Sequence, residues 1–200
     1  MRFHLGAIPD EFEPDSSWQT IWEPGPLLMQ VLATPIAILL VVSFASLWPA
    51  LSELTPVHVP HNYQFVFLIA VALSLPALIL VHEVLHAIVH PGYGLQPATI
   101  IGAWPKRLLF YAHYCGPLTR DRFLLVFAMP FLVITVLPLV MAALGLLKPP
   151  LGSFGAWFSI WNAFFASGDV IGFLLILFQV PRNAIVQNKG WRSYWKPITT

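Results

Sequence analysis

The chain alternates between long apolar runs and short polar breaks. Four runs reach the ~20 predominantly apolar residues needed to cross a bilayer. They cover roughly 27–49, 65–90, 123–147 and 156–180. The pattern predicts an all-α membrane protein with four transmembrane helices. Pro35, Pro76, Pro130 and Pro138 fall inside the runs. Membrane helices accept proline where a neighbour satisfies the freed carbonyl, and they kink there. Trp48, Tyr63, Trp157 and Trp161 fall near run ends, where interfacial aromatics gather.

Only one connection, 91–122, is sizeable. It opens on the turn residues "PGYG". "ATIIGAW" and "RLLFYAHY" follow, rich in β-branched and aromatic residues with "PK" between them. They predict a short β-hairpin over 98–114. Residues 1–26 read as an acidic tail, 27–180 as the membrane domain and 181–200 as a basic tail. The first 25 residues lack an apolar core and do not read as a signal peptide. The first span is then expected to act as an uncleaved signal.

Composition agrees with this pattern. Hydrophobic residues make up 58% and charged residues 10%, against about 25% charged in soluble domains. A net charge of +1 without any basic run gives no footing for nucleic acid. Cys115 is the single cysteine, so neither an internal disulfide nor a thiolate metal site can form. With four spans, nine of the ten Lys and Arg residues fall on one side. Only Lys148 falls on the other. The bias puts both termini in the cytoplasm.

Residues 82–86 read "HEVLH", inside the second run. His82 and His86 lie one helical turn apart on one face, a spacing that lets two imidazoles bind one metal ion. Glu83 beside them is placed to act as general base on water. Zinc suits such nitrogen and oxygen ligands, and a catalytic zinc takes three protein ligands. The third is found by counting. Within the four spans the only acids are Glu83 and Asp169. A carboxylate there is costly, and a dication would stabilise it. The expected set is therefore His82, His86 and Asp169 on one zinc ion, with Glu83 as base. The alternative is a metal-free polar contact between helices. At ~1.5 Å per residue the histidines lie roughly 6–12 Å from residue 90, and Asp169 about 16 Å from residue 180. Both distances put the site in the cytoplasmic half of the membrane. A break at Ser167 and Gly168 would bring the depths together.

Asn162 lies two turns before Asp169 on the same face, and either binds substrate backbone or the oxyanion, or joins helices. His90 precedes the helix stop made by Pro91 and Gly92 and reads as interfacial. His113 and Tyr114 read as loop-surface residues. Cys115 has no evident partner to make it a nucleophile. His58 and His61 fall on the far side and His4 in a tail.

"HEVLH" in the second run, with Asn162 to Asp169 ("NAFFASGDV") in the last, resembles the site-2 type of intramembrane zinc metalloproteases. The sequence more closely resembles a family of small bacterial four-helix proteins called putative zincin peptidases. That family carries the same HExxH and a loop like "YAHYCGPLTRDRFLLVFAMP". The resemblance covers roughly residues 65–180. Here glycine precedes Asp169, whereas the site-2 pattern has an Asp-Gly step. The resemblance implies zinc-dependent hydrolysis of membrane-associated proteins or peptides in a bacterial plasma membrane. Two other readings compete. A di-iron membrane oxidase needs more histidines than this chain offers. A non-proteolytic metal-binding or client-binding protein has no need of Glu83. Oligomeric state is not written in the sequence.

Overall fold

The computed structural model describes residues 1–52, 64–148 and 151–198. The expected far-side positions of His58, His61 and Tyr63 lie outside the described residues. In chain order the elements begin with strands β1 (Arg2–Leu5) and β2 (Gln19–Thr20). Helices α1 (Pro26–Leu51) and α2 (Gln64–Val89) follow, then strands β3 (Thr99–Trp104), β4 (Leu109–Tyr114) and β5 (Leu118–Thr119). Helix α3 (Arg120–Pro130) continues through a π turn (Phe131–Val136) into α4 (Leu137–Ala143). Helices α5 (Leu151–Phe165) and α6 (Ser167–Gln179) come next, and strands β6 (Ala184–Lys189) and β7 (Arg192–Pro197) close the order.

Among the described residues, three helices are long and apolar enough to cross a membrane: Pro26–Leu51, Ala72–Val89 and Arg120–Ala143. The expected fourth span is not one straight helix. The residues expected to form it fold as α5 and α6, bent by 54° at their junction. The bend falls at Ala166, next to the Ser167 and Gly168 expected to break it. The π turn also has a sequence cause. Pro138 has no N–H for the carbonyl of Ile134, four residues back. The ladder slips by one residue there, and the Leu137 N–H bonds the Leu132 carbonyl instead.

The chain forms two compact units. One comprises Met1–Ala33, Glu83–Met129 and Gly168–Thr200, and it holds all the strands found among the described residues. The expected hairpin is present, paired from Thr99↔Tyr114 to Trp104↔Leu109. A Cβ on its Gly102 would lie 2.3 Å from the cross-strand Tyr111 ring, so that ring would have to shift. Strand β1 runs parallel along β3, giving the order β1-β3-β4. A second sheet has the order β2-β7-β6-β5 and is antiparallel throughout.

This sheet corrects the reading of both ends as tails. "AIVQNKGWRSYW" is a hairpin whose turn contains Gly190 at φ +55°. The N-terminal stretch is fastened to it. Ser193 donates to the Glu23 carboxylate through its backbone N–H at 2.8 Å and its hydroxyl at 2.7 Å. Burial pushes the Glu23 carboxyl above its usual range, against the pull of those bonds. Val89, Phe123, Val126, Ile176 and Val186 belong to the core of this unit. Arg120 closes α6, donating to the carbonyls of Val180 (2.8 Å) and Leu177 (3.0 Å). A basic side chain at a helix C-terminus satisfies the last carbonyls and suits the helix dipole.

The other unit comprises Thr34–His82 and Pro130–Ser167. Its apolar core includes Phe44, Trp48, Leu139, Ala142 and Ala156. Trp48, expected among the interfacial aromatics, is packed inside the protein. It is 0% exposed, and its indole N–H donates to Ser159 Oγ at 3.1 Å. Ser159 and Thr135 bond each other twice, Ser159 Oγ to the Thr135 carbonyl at 2.9 Å and Thr135 Oγ1 to the Ser159 carbonyl at 3.2 Å.

Candidate metal centre

Helix α2 carries the histidines because nothing in residues 78–89 interrupts it before Pro91. It stops in a turn where Gly92 and Gly94 take φ of +65° and +75°. Gly94 has no alternative there, since a Cβ would meet the Ala87 carbonyl oxygen at 2.4 Å. His82 and Glu83 are consecutive residues on the unbroken helix, at the border of the two units. His82, Glu83 and His86 are all buried. Asp169 lies in the first turn of α6, where the N-terminal end of the helix dipole favours a negative charge.

The expected triad comes together. One ligand atom each from His82, His86 and Asp169 all lie within 4.8 Å of one another. His86 Nε2 is 3.5 Å from Asp169 Oδ2. Tetrahedral zinc with bonds of about 2.0–2.1 Å holds its ligand atoms roughly 3.3–3.5 Å apart. The donor set of two imidazoles and a carboxylate is that of a catalytic zinc site.

The second nitrogen of each imidazole is also accounted for. His82 Nδ1 lies 2.8 Å from Asn162 Oδ1, and His86 Nδ1 lies 2.7 Å from the Val126 carbonyl oxygen. Both partners are acceptors, so Nδ1 donates in each case. The lone pair then sits on Nε2. Metal-ligating histidines usually donate their other N–H to just such partners, which fixes ring and tautomer. The residues present therefore fit a zinc ion.

Of the two readings of Asn162, the structure shows the link between helices and not an oxyanion or substrate donor. It is 0% exposed. Both hydrogens of its amide nitrogen are used, toward the Pro130 carbonyl at 3.1 Å and Thr135 Oγ1 at 2.9 Å. No donor remains for an oxyanion.

His90 and His113 also differ from expectation. They are 3% and 6% exposed, neither interfacial nor on the loop surface. His90 faces Thr99 Oγ1 at 3.4 Å and packs on the Tyr114 ring at 5.4 Å between centroids. Burial holds the His113 imidazole down at about 4, with Glu11 opposing the effect and Arg2 adding to it. Neither histidine joins the triad. Burial raises the Cys115 thiol above its usual value, so less thiolate forms there.

A pH dependence follows. The folded-state value of about 4 for His113 lies below its ordinary 6.5. Between those two pH values the unfolded chain binds more protons, so acid favours unfolding. Stability is intact above about 6.5 and falls toward 4, by on the order of 3 kcal/mol for this histidine. Thermal unfolding of the detergent-solubilised protein at stepped pH should show this loss, and His113→Gln should make it shallower. An unchanged slope in that variant would remove His113 from the account.

Of the groups that brace the triad, the sequence pointed to Asn162 as a link between helices but not to the Val126 carbonyl. One signal for that carbonyl existed: Pro130 in α3 lacks the N–H that would bond it, and His86 uses it instead.

Residues 75–185 match the profile of a family described as "Putative zincin peptidase". No curated protein and no solved structure matches the chain.

Proposed function

Since the chain belongs to the putative zincin peptidase family, we propose that it is a membrane-embedded zinc metallopeptidase. The observation that carries this reading is the convergence of His82, His86 and Asp169, with both Nδ1 atoms already engaged. His82 and His86 would hold the zinc through Nε2 and Asp169 through its carboxylate. Zinc, when bound, supplies a Lewis acid that makes water acidic near neutral pH and polarises a carbonyl. Glu83 receives the proton of the attacking water on its carboxylate and delivers it to the leaving amine. Burial of Glu83 keeps bulk water from competing for that proton.

The substrate is a membrane-associated protein or peptide. Support for the bilayer comes from the three long apolar helices and the bent fourth pair. The distribution of Lys and Arg favours cytoplasmic termini and a site in the cytoplasmic half. A helical substrate hides its carbonyls, so it must be extended locally. Strand β4 lies at the edge of its sheet and offers a backbone for such a segment to pair with.

The test uses the full chain in detergent or nanodiscs. Metal analysis is expected to find about one zinc per chain, as a site of two histidines and one carboxylate takes a single ion. Cleavage of membrane-anchored reporter peptides should stop on chelation and return with zinc. Iron in place of zinc, absence of metal, or cleavage indifferent to chelator would each defeat the reading.

A further inference from the structure

We propose that Pro130 positions both metal-binding histidines, acting on one through the N–H it lacks and on the other through its carbonyl. This rests on the zinc-site reading above. The first half concerns His86. In a regular helix the Val126 carbonyl would accept from the N–H of residue 130. Proline has none, so that carbonyl is left over inside an apolar helix. A buried carbonyl without a partner is costly. His86 Nδ1 fills the place at 2.7 Å. The imidazole is thereby held by a rigid backbone group, in the tautomer that leaves Nε2 for a metal.

The second half concerns His82, and it depends on the direction of each hydrogen bond. The Asn162 amide can be oriented in two ways. The Pro130 carbonyl is only an acceptor, so it must face the NH2 side, at 3.1 Å. Thr135 agrees with that choice. Its hydroxyl proton goes to the Ser159 carbonyl at 3.2 Å, which leaves Oγ1 to accept from Asn162 at 2.9 Å. Ser159 in turn spends its own proton on the Thr135 carbonyl and accepts from the Trp48 indole. Every group in the series has one role left. The Asn162 oxygen is therefore turned to His82 Nδ1, which must carry the proton. Trp48, Thr135, Ser159 and Asn162 are all fully buried, so no water offers an alternative orientation. The Pro130 carbonyl and the Thr135 hydroxyl together decide which end of the amide His82 meets.

The experiment compares wild type, Pro130→Ala, Thr135→Val and Thr135→Ser as full chains. Zinc affinity is read by competition with a chromophoric chelator. The absorption of the cobalt-substituted site reports ligand geometry. Thermal unfolding of the metal-free proteins reports folding alone. Pro130→Ala restores a backbone N–H that bonds the Val126 carbonyl and competes with His86. Thr135→Val removes the acceptor that orients Asn162 and keeps the shape. Each is expected to weaken zinc about 10–100-fold, the usual cost of losing a group that braces a metal ligand. Each should also alter the cobalt spectrum, while metal-free unfolding stays at or above wild type for Pro130→Ala. Thr135→Ser keeps the hydroxyl and should bind zinc as wild type does. If Pro130→Ala or Thr135→Val keeps wild-type affinity and spectrum, the shared positioning role is overturned. If wild type itself binds no zinc, the zinc-peptidase reading fails instead.

Discussion

Glu83→Gln is expected to keep its zinc and lose its hydrolysis. Glutamine has the same shape, carries an NH2 donor in place of one carboxylate oxygen, and cannot take up a proton at neutral pH. The group placed to hold the metal is His82, His86 and Asp169, and Glu83 is not part of it. Metal content should therefore stay at the wild-type level. A positioned acid–base group contributes typically 10²–10⁴-fold to rate, so cleavage of the reporter peptide should fall by about that factor. The pairing of the two measurements is what makes the variant informative. A loss of zinc would mean that Glu83 is a ligand or a structural brace. Retention of zinc with cleavage within about tenfold of wild type, well short of what a general base supplies, would mean that another group moves the proton.

Asp169→Asn is expected to behave in the opposite way. The carboxamide fills the same volume in the first turn of α6, and it still suits a helix N-terminus. It is a far poorer ligand for a dication, because it brings no charge. The lost affinity should exceed the roughly 10–100-fold typical of groups that only brace a ligand. His86 also loses the carboxylate 3.5 Å from its Nε2. Purified Asp169→Asn should therefore arrive with little zinc and release what is added on mild dialysis. Full zinc occupancy in this variant would move the third ligand elsewhere and leave Asp169 as a polar contact between helices.

The triad was legible because its chemistry violates its surroundings. Two histidines one turn apart need only the helical period to be paired. Asp169 stood out because the spans hold one other acid. The hairpin was legible from "PGYG" and from β-branched residues on both sides of "PK". Other features were hidden for physical reasons. Trp48 sits in a helix that is apolar on every side, so no polar face tells lipid from core. The Val126 acceptor is a backbone atom, and sequence carries it only as the absence of an N–H four residues later. Asn162 sits on the face expected of it, but its amide is used up by neighbours whose identity depends on packing. Charge concealed the strands at both ends, since "AIVQNKGWRSYW" alternates around a glycine turn yet carries the basic residues of a tail.

The pairing of those two ends bears on how the protein is made. Gln19 sits opposite Trp195, and Thr20 opposite Tyr194. Their sheet brings together strands from near both chain ends. A contact between strands so far apart in sequence cannot form on the ribosome until β7 has emerged. Helices α1 to α6 lie between the two strands in sequence and emerge before that. The sheet therefore closes only after the intervening helices have been made, and β2 waits until then without its β7 partner. Long-range strand pairing of this kind is slow and exposed to misassembly. The acidic residues Asp10, Glu11, Glu13 and Asp15 lie just ahead of β2, where charge works as a gatekeeper against premature strand partners.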